Sequence, residues 1–365
     1  INCDHPLITN SHSKSLDYQL ILDKYISKGF PGASLLVEDD EGIWVGSSGY
    51  ADIYEKVVFT PCHVSKAASI TKLMVGTLAM RLQEENILDI DDPVSMYISS
   101  EILDKIDHPE GMTLRQLMNH TTGIYDLIKD DGFYLAVINN PNKDWQQEEL
   151  LKFVYNKPRY ELSDEFPAKY SNTNTLLLSM CINKATGVEH SKLLREYVLD
   201  PLQMNDTYYQ SRENLPEITT QGYFDLHNNQ QLTNVSNFIT GSGNGYGGMF
   251  SNVFDLKKFQ DALYREKTIL TQSSLDDMTS EFYKYDEDIN GELFTCVSMQ
   301  RKFNKLTDYG IGHSGKDLGY SADLYYFPKT ESSFILFVNY GTDAESYLKD
   351  DFYELEKEII QKMLE

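Results

Sequence analysis

Short apolar runs of strand length crowd both ends of this 365-residue chain, while helical periodicity fills its middle. Near the start, "ASLLVED" and "GIWVGSSGY" flank the turn sequence "DDEG" and read as a hairpin. After residue 240, "FTCVSMQRKF", "YGIGHSG", "SADLYYFP" and "SSFILFVNYG" repeat that strand texture. Helical stripes lie outside the strands, at Leu16, Leu20, Ile21, Tyr25 and Ile26 and at Phe352, Leu355, Ile359, Ile360 and Met363. Between them "TLRQLMNH", "WQQEELLKFVYN", "NTNTLLLSMCINKAT" and "HSKLLREYVLDPL" are helical. The pattern predicts an α+β fold, with one antiparallel sheet drawn from both termini, flanked by the terminal helices, and an inserted helical region. The expected division is 1–68 with 240–365 for the sheet domain and 69–239 for the mainly helical domain. A ligand cleft is expected between them.

At that first boundary "SKAASITKLMVG" opens an apolar helix running to about Glu85, with Ser69 as its expected N-cap. Lys72 falls in the first turn, where the helix dipole disfavours a cation by roughly 0.3–1 kcal/mol. Residues i and i+3 share a helix face, so the amine reaches the Ser69 hydroxyl. Burial and the helix N-terminus both depress a lysine pKa, which makes Lys72 a base and Ser69 its nucleophile. The backbone N–H of Ser69 offers one oxyanion donor from the same turn. The spacing alone selects nothing, because S-x-x-K also occurs at Ser11/Lys14 and Ser346/Lys349.

Two further triplets fall where a cleft would be lined. Tyr170-Ser171-Asn172 precedes the apolar helix "TLLLSMCI", and His313-Ser314-Gly315 sits on an expected strand. In that order and context, S-x-x-K, Y-x-N and H-S-G resemble the serine β-lactamase and penicillin-binding protein superfamily, nearest to its class C β-lactamase and D-alanyl-D-alanine carboxypeptidase branch, peptidase family S12. The likeness extends through "MTLRQLMNHTTGIYDL", "VLDPLQMNDTYY" and "GGMFSNVFDLKKFQDAL", covering about residues 15 to 345.

The resemblance implies a β-lactamase-like fold and an acyl-enzyme on Ser69 with Lys72 as base. Tyr170 becomes a second proton carrier, whose phenol pKa is expected to fall beside the Lys72 ammonium. Asn172 would hold the substrate amide, and His313 and Ser314 a substrate carboxylate or polar group. The backbone N–H of Lys316 would complete the oxyanion hole, with Gly315 leaving room for the acyl group. His120 in "NHTTG" reads as turn-stabilising. The implied activity is a D-alanyl-D-alanine carboxypeptidase-like peptidase or penicillin-binding protein. Carboxylesterase, D-aminopeptidase and class C-like β-lactamase remain alternatives on the same site, and an inactive penicillin-recognising sensor is an alternative of another class. A histidine in place of the lysine of K-T-G weakens the β-lactamase option.

Composition excludes other classes. With 56 acidic and 32 basic side chains, a net charge of −24 would repel nucleic acid. No apolar run reaches membrane-helix length. No H-x-x-x-H or clustered carboxylate pattern calls for a metal, and no cofactor is expected. G-x-S-x-G is absent, which disfavours an α/β-hydrolase. Partners reduce to a small-molecule or peptide substrate, such as a peptidoglycan peptide or a β-lactam. The start at Ile1, without methionine or a signal pattern, suggests a trimmed form. A periplasmic or extracellular location is implied by the resemblance. Cys3, Cys62, Cys181 and Cys296 form no C-x-x-C pair, and Asn2 does not suit lipidation of Cys3.

Overall fold

The computed structural model describes residues 3, 5–8 and 11–365. Its main sheet is antiparallel and runs in the order Val57–Val58, Gly42–Asp52, Gly32–Asp39, Ser332–Val338, Tyr320–Phe327, Gly310–Asp317, Gln300–Lys302, Gly291–Thr295, Tyr283–Asp288. The first three strands come from the N-terminal end and the rest from the C-terminal end; Leu35 lies opposite Leu336 where the two sets join. The antiparallel sheet drawn from both termini, expected from the two apolar ends, is therefore the one observed.

Side-chain alternation explains why both faces are covered. In the strand Ser332–Val338, Phe334, Leu336 and Val338 point to one face, with Tyr18, Leu22 and Tyr25 of the helix Ser15–Lys28 and with Phe352, Leu355 and Ile359 of the helix Lys349–Leu364. Ile335 and Phe337 point to the other face, into the core that holds Leu73, Met74 and Leu78 of the helix Ile70–Glu84. A strand buried on both faces needs a continuous apolar run, which "FILFV" supplies. Each fully buried Leu, Ile or Phe here contributes roughly 1.5–3 kcal/mol.

Helices Ile70–Glu84, Leu114–Met118, Asp131–Asn139, Gln147–Leu151, Asn172–Thr186 and His190–Leu194 occupy the middle of the chain. The segment near 220 returns to the sheet, where the backbone N–H of Tyr223 donates to Asn339 O and that of Gln221 to Ala51 O. The strand Ser65–Ala68 pairs with Met249–Ser251 and delivers the chain to the helix that begins after Ser69.

Two cysteines are joined as the disulfide Cys3–Cys62, which excludes a lipid on that sulfur; Cys181 and Cys296 are free and buried. No helix among the described residues is long and apolar enough to cross a membrane.

Candidate active site

The helix Ile70–Glu84 buries twelve of its fifteen residues, and its apolar surface runs all the way round because sheet and helices enclose it. Ala68, just before Ser69, has a left-handed backbone (φ 46°), a conformation costly for any residue with a Cβ. Thr71 stabilises this strand-to-helix turn: its hydroxyl donates to Ala68 O at 2.6 Å and accepts the N–H of Met249 at 3.0 Å. Ser69 itself is already helical (φ −67°, ψ −6°) and its side chain makes no capping bond. The expected cap role is thus not taken up, and the hydroxyl is left for chemistry.

That hydroxyl meets the Lys72 amine at 2.9 Å. Lys72 is buried, and its amine also donates to Asn172 Oδ1 at 2.7 Å and to the backbone carbonyl of Tyr246. These last two partners can only accept. A neutral amine has two N–H bonds and one lone pair, so giving both hydrogens to the carbonyls aims the lone pair at Ser69. Burial lowers the Lys72 pKa to about 7, against the raising influence of Asp126, Asp343 and Asp317. The other two S-x-x-K spacings form no such arrangement. Lys14 binds Asp39 at 3.1 Å, and Lys349 binds Glu345 at 2.5 Å.

Tyr246 belongs to "GSGNGYGG", which the sequence displayed only as glycine-rich texture. Gly245 (φ 106°) passes so close to the helix Asn172–Thr186 that a Cβ there would lie 2.6 Å from Ser179 Cβ. Its N–H donates to Tyr209 OH at 2.9 Å, which holds the neighbouring Tyr246 carbonyl in place.

Tyr170 is enclosed by rings, with His120 at 4.5 Å, Tyr285 at 5.9 Å and His313 at 6.1 Å between centroids. The Lys72 nitrogen lies 5.0 Å from its centroid. Burial drives the phenol pKa well above 10, outweighing a hydrogen bond with the Ser69 side chain. The expected downward shift is therefore reversed, because burial dominates and Lys72 is itself driven towards neutrality. His120, at φ 59°, accepts the N–H of Ser171 at 3.3 Å and faces Asn174 Nδ2 at 3.0 Å, so it braces the segment carrying Tyr170.

The strand Gly310–Asp317 forms the opposite wall. A Cβ on Gly315 would lie 2.0 Å from Ala67 O and 3.2 Å from Ser69 N. The missing side chain makes room for the backbone of 67–69, not for an acyl group as expected from sequence. The partner strand Gln300–Lys302 pairs only with 310–312, leaving the edge beyond open. Ser314 N on that edge donates to Gln300 Oε1 at 2.9 Å, and two residues on, the N–H of Lys316 faces the same way. Ser69 N lies against Gly315, the residue before Lys316, so both backbone N–H groups belong to the same stretch of the cleft wall.

His313 and Ser314 depart from the expected carboxylate-facing pair. Ser314 lies opposite Asp323 and its hydroxyl donates to Asp323 Oδ1 at 2.7 Å, with Tyr325 OH at 2.9 Å. His313 is buried, its Nδ1 donates to Ser314 O at 2.6 Å, and burial lowers its pKa to about 3, so the ring is neutral. The cleft between the walls encloses about 380 Å³ and is lined by Ser69, Tyr170, Asn172, Tyr246, Ser314 and Lys316 among others. It is also lined by Asp126, which lies within the family-like segment "MTLRQLMNHTTGIYDL" but received no role from it. Among the described residues no group of three or more His, Cys, Asp or Glu is placed to hold a metal ion.

A sequence profile of the Beta-lactamase family matches residues 19–358, and the chain belongs to that family. Protein flp of Staphylococcus aureus is 24% identical over 343 residues, covering 92% of this chain but 64% of the relative, so the chain spans under two thirds of that protein. A penicillin-binding protein of Bacillus subtilis is 25% identical over 331 residues, covering 87% of this chain and 69% of the relative. Among solved structures, the D-amino acid amidase of Ochrobactrum anthropi superposes with a TM-score of 0.81 at 25% identity, covering 95% of this chain and 97% of that one. A D-stereospecific amidohydrolase from Streptomyces gives 0.76 at 26% identity, covering 89% and 94%.

Proposed function

We propose that this chain is a serine hydrolase that forms an acyl-enzyme on Ser69 and cleaves small amides of D-amino acids, D-alanyl peptides among them. The observation that carries the reading is the Lys72 amine, held by two carbonyl acceptors with the Ser69 hydroxyl as its third neighbour. Lys72 takes the hydroxyl proton as Oγ attacks the carbonyl. The N–H groups of Ser69 and Lys316 receive the developing oxyanion. Tyr170, kept protonated by burial, hands its proton to the leaving nitrogen and is resupplied from the Lys72 ammonium. Water then attacks the ester and releases Ser69.

The two amidohydrolase neighbours favour a D-configured amide. The commitment of the Ser314 hydroxyl to Asp323 and Tyr325 weighs against strict carboxypeptidase action, which would call on that hydroxyl for a terminal carboxylate. The Cys3–Cys62 disulfide supports an oxidising, exported setting.

The test is an intact-mass time course with D-alanine p-nitroanilide, its L-enantiomer and a penicillin, on wild type beside Ser69→Ala. Turnover of the D-anilide by wild type alone is expected. Turnover by Ser69→Ala would overturn the assignment, and a persistent penicillin adduct without amidase activity would move it to a penicillin-binding peptidase.

A further inference from the structure

We infer that Asp126 is a positioning residue of the acylation machinery, locking the Asn172 side-chain amide in the one orientation that turns its oxygen towards Lys72. The inference rests on the roles proposed above for Ser69 and Lys72.

An asparagine amide is nearly symmetric in shape but opposite in chemistry at its two ends, so its neighbours decide which end faces which way. Asp126 is buried and belongs to the loop before the helical turn Leu127–Lys129. Its carboxylate accepts the backbone N–H of Asn172 at 3.0 Å, and Asn172 Nδ2 approaches both of its oxygens at 3.2 Å. Burial raises the Asp126 pKa to about 6, so the group is ionised at pH 7 and above, and an ionised carboxylate is acceptor-only, so the nitrogen end of the amide must face it there. The oxygen end then faces Lys72, and the 2.7 Å contact is of that kind. A flipped amide would set oxygen against carboxylate between buried side chains, leaving that end unsatisfied, and would turn its N–H groups to the amine. It would also compete for the Lys72 lone pair, which the two carbonyl acceptors otherwise reserve for Ser69. Asp126 therefore acts through Asn172 and touches neither reacting atom.

Charge adds a second consequence. The ionisable groups facing Asp126 are Lys72 on the helix that follows Ser69, Asp343 on the loop after the last strand, the buried phenols of Tyr134, Tyr170 and Tyr246, all held protonated, and the phenol of Tyr160, whose oxygen accepts the Asp126 N–H at 3.4 Å. Lys72 in turn senses Asp126, Asp343 and Asp317. Removing the Asp126 charge takes away a stabiliser of the Lys72 ammonium, so the acid limb of the rate profile must move to lower pH.

The experiment measures kcat/KM against pH for a p-nitrophenyl ester with wild type, Asp126→Asn, Asn172→Asp and the exchanged double variant Asp126→Asn/Asn172→Asp. Asp126→Asn presents a donor to a donor and is expected to lose about 30-fold or more, with its acid limb displaced downward. The double variant restores complementary ends, since the exchanged carboxylate accepts from both the Lys72 amine and the exchanged amide. On the alkaline plateau, above the raised Lys72 pKa, it is expected to recover about tenfold over Asp126→Asn, with its acid limb above that of wild type because the carboxylate now meets the amine. Asp126→Asn within about threefold of wild type and with an unmoved limb would overturn the inference, as would a double variant no better than the poorer single.

Should the single variants fail to fold, wild-type NMR decides. Slowly exchanging, downfield Asn172 Nδ2 protons support the lock, and exchange at the free-amide rate overturns it. That readout is independent of turnover, so an inactive wild type with protected Asn172 protons would sink the proposed function and the catalytic purpose of the lock, whereas free exchange in an active wild type would sink the lock alone.

Discussion

Among the buried lysines are Lys72 at 1% exposure and Lys302 at 2%, and burial treats these two alike. Their partners do not. Lys302 is clasped by both oxygens of Glu356 at 2.8 and 2.9 Å, with Asp288 at 3.4 Å, and its pKa is raised well above the ordinary value. Lys72 touches only neutral oxygens, and its carboxylate neighbours act without direct contact, so burial wins and its pKa falls to about 7. Contact with carboxylates turns a buried lysine into a fixed cation that ties the helix Lys349–Leu364 to the sheet. Contact with carbonyls and a hydroxyl leaves an amine that can lose its proton near neutrality, as the proposed base must.

The largest test of that contrast is Lys72→Met. Acylation of Ser69, followed by intact mass, should fall by about 10³-fold or more, with no loss of thermal stability, because an apolar side chain suits the site better than a desolvated amine. Near-normal acylation would mean that Lys72 is not the base. Lys302→Met should invert the result. Stability measured by urea unfolding should drop by about 3–5 kcal/mol, since Glu356 is left buried without its partner, while the folded fraction keeps its acylation rate. Adding Glu356→Leu to Lys302→Met should recover about 2 kcal/mol, and no recovery would show that the pair is not what fails in the single variant.

A pH profile sharpens the contrast further. Below about 7 the neutral Lys72 amine becomes scarce, and ester turnover should fall towards tenfold per pH unit. The stability effect has a definite sign. Folding lowers the Lys72 pKa from 10.5 to about 7, so between those values the unfolded chain holds more protons and this lysine makes stability rise with pH. The melting-temperature advantage of Lys72→Met over wild type should therefore be largest near pH 7 and shrink by pH 10. An advantage that grows with pH would contradict a buried amine of lowered pKa.

Much of this was legible in the sequence where the relevant contacts are local or periodic. Ser69 and Lys72 are three residues apart on one helix, and the sheet announced itself through runs such as Phe334–Val338, whose two faces are both apolar. The role of Asp126 was hidden because it meets Asn172 across 46 residues; the segment "MTLRQLMNHTTGIYDL" that carries it was visible, but nothing in it shows which partner the aspartate faces. The third partner of Lys72 was hidden more deeply, since a backbone carbonyl at Tyr246 can belong to any residue type and only the surrounding glycines betray the tight path. The direction of the Ser314 hydroxyl needed the register that sets Asp323 opposite, which strand pattern alone cannot supply. The Tyr170 shift runs against expectation because desolvation, which no motif displays, outweighs a nearby ammonium.

The smallest effect expected is that of Asp288→Asn. Asp288 stands 3.4 Å from Lys302 at the less enclosed end of the charge cluster, whereas Glu356 is fully enclosed and bidentate. Its Oδ1 also accepts the N–H of Asn290 at 2.8 Å, a bond that an asparagine oxygen can keep. The substitution thus removes only a long, partly solvated ion contact, and the loss should be about 0.5–1 kcal/mol by urea unfolding. Asp288 lines the cleft but makes no contact with Ser69 or Lys72, whose partners are each other, Tyr170, Asn172 and Tyr246, so kcat/KM for a small ester should change less than about threefold. A loss matching that of Lys302→Met would assign the anchor to Asp288 and leave Glu356 as its support. The contrast between the lysines would survive that outcome, because either carboxylate gives Lys302 what the carbonyls around Lys72 withhold: a full negative charge in contact.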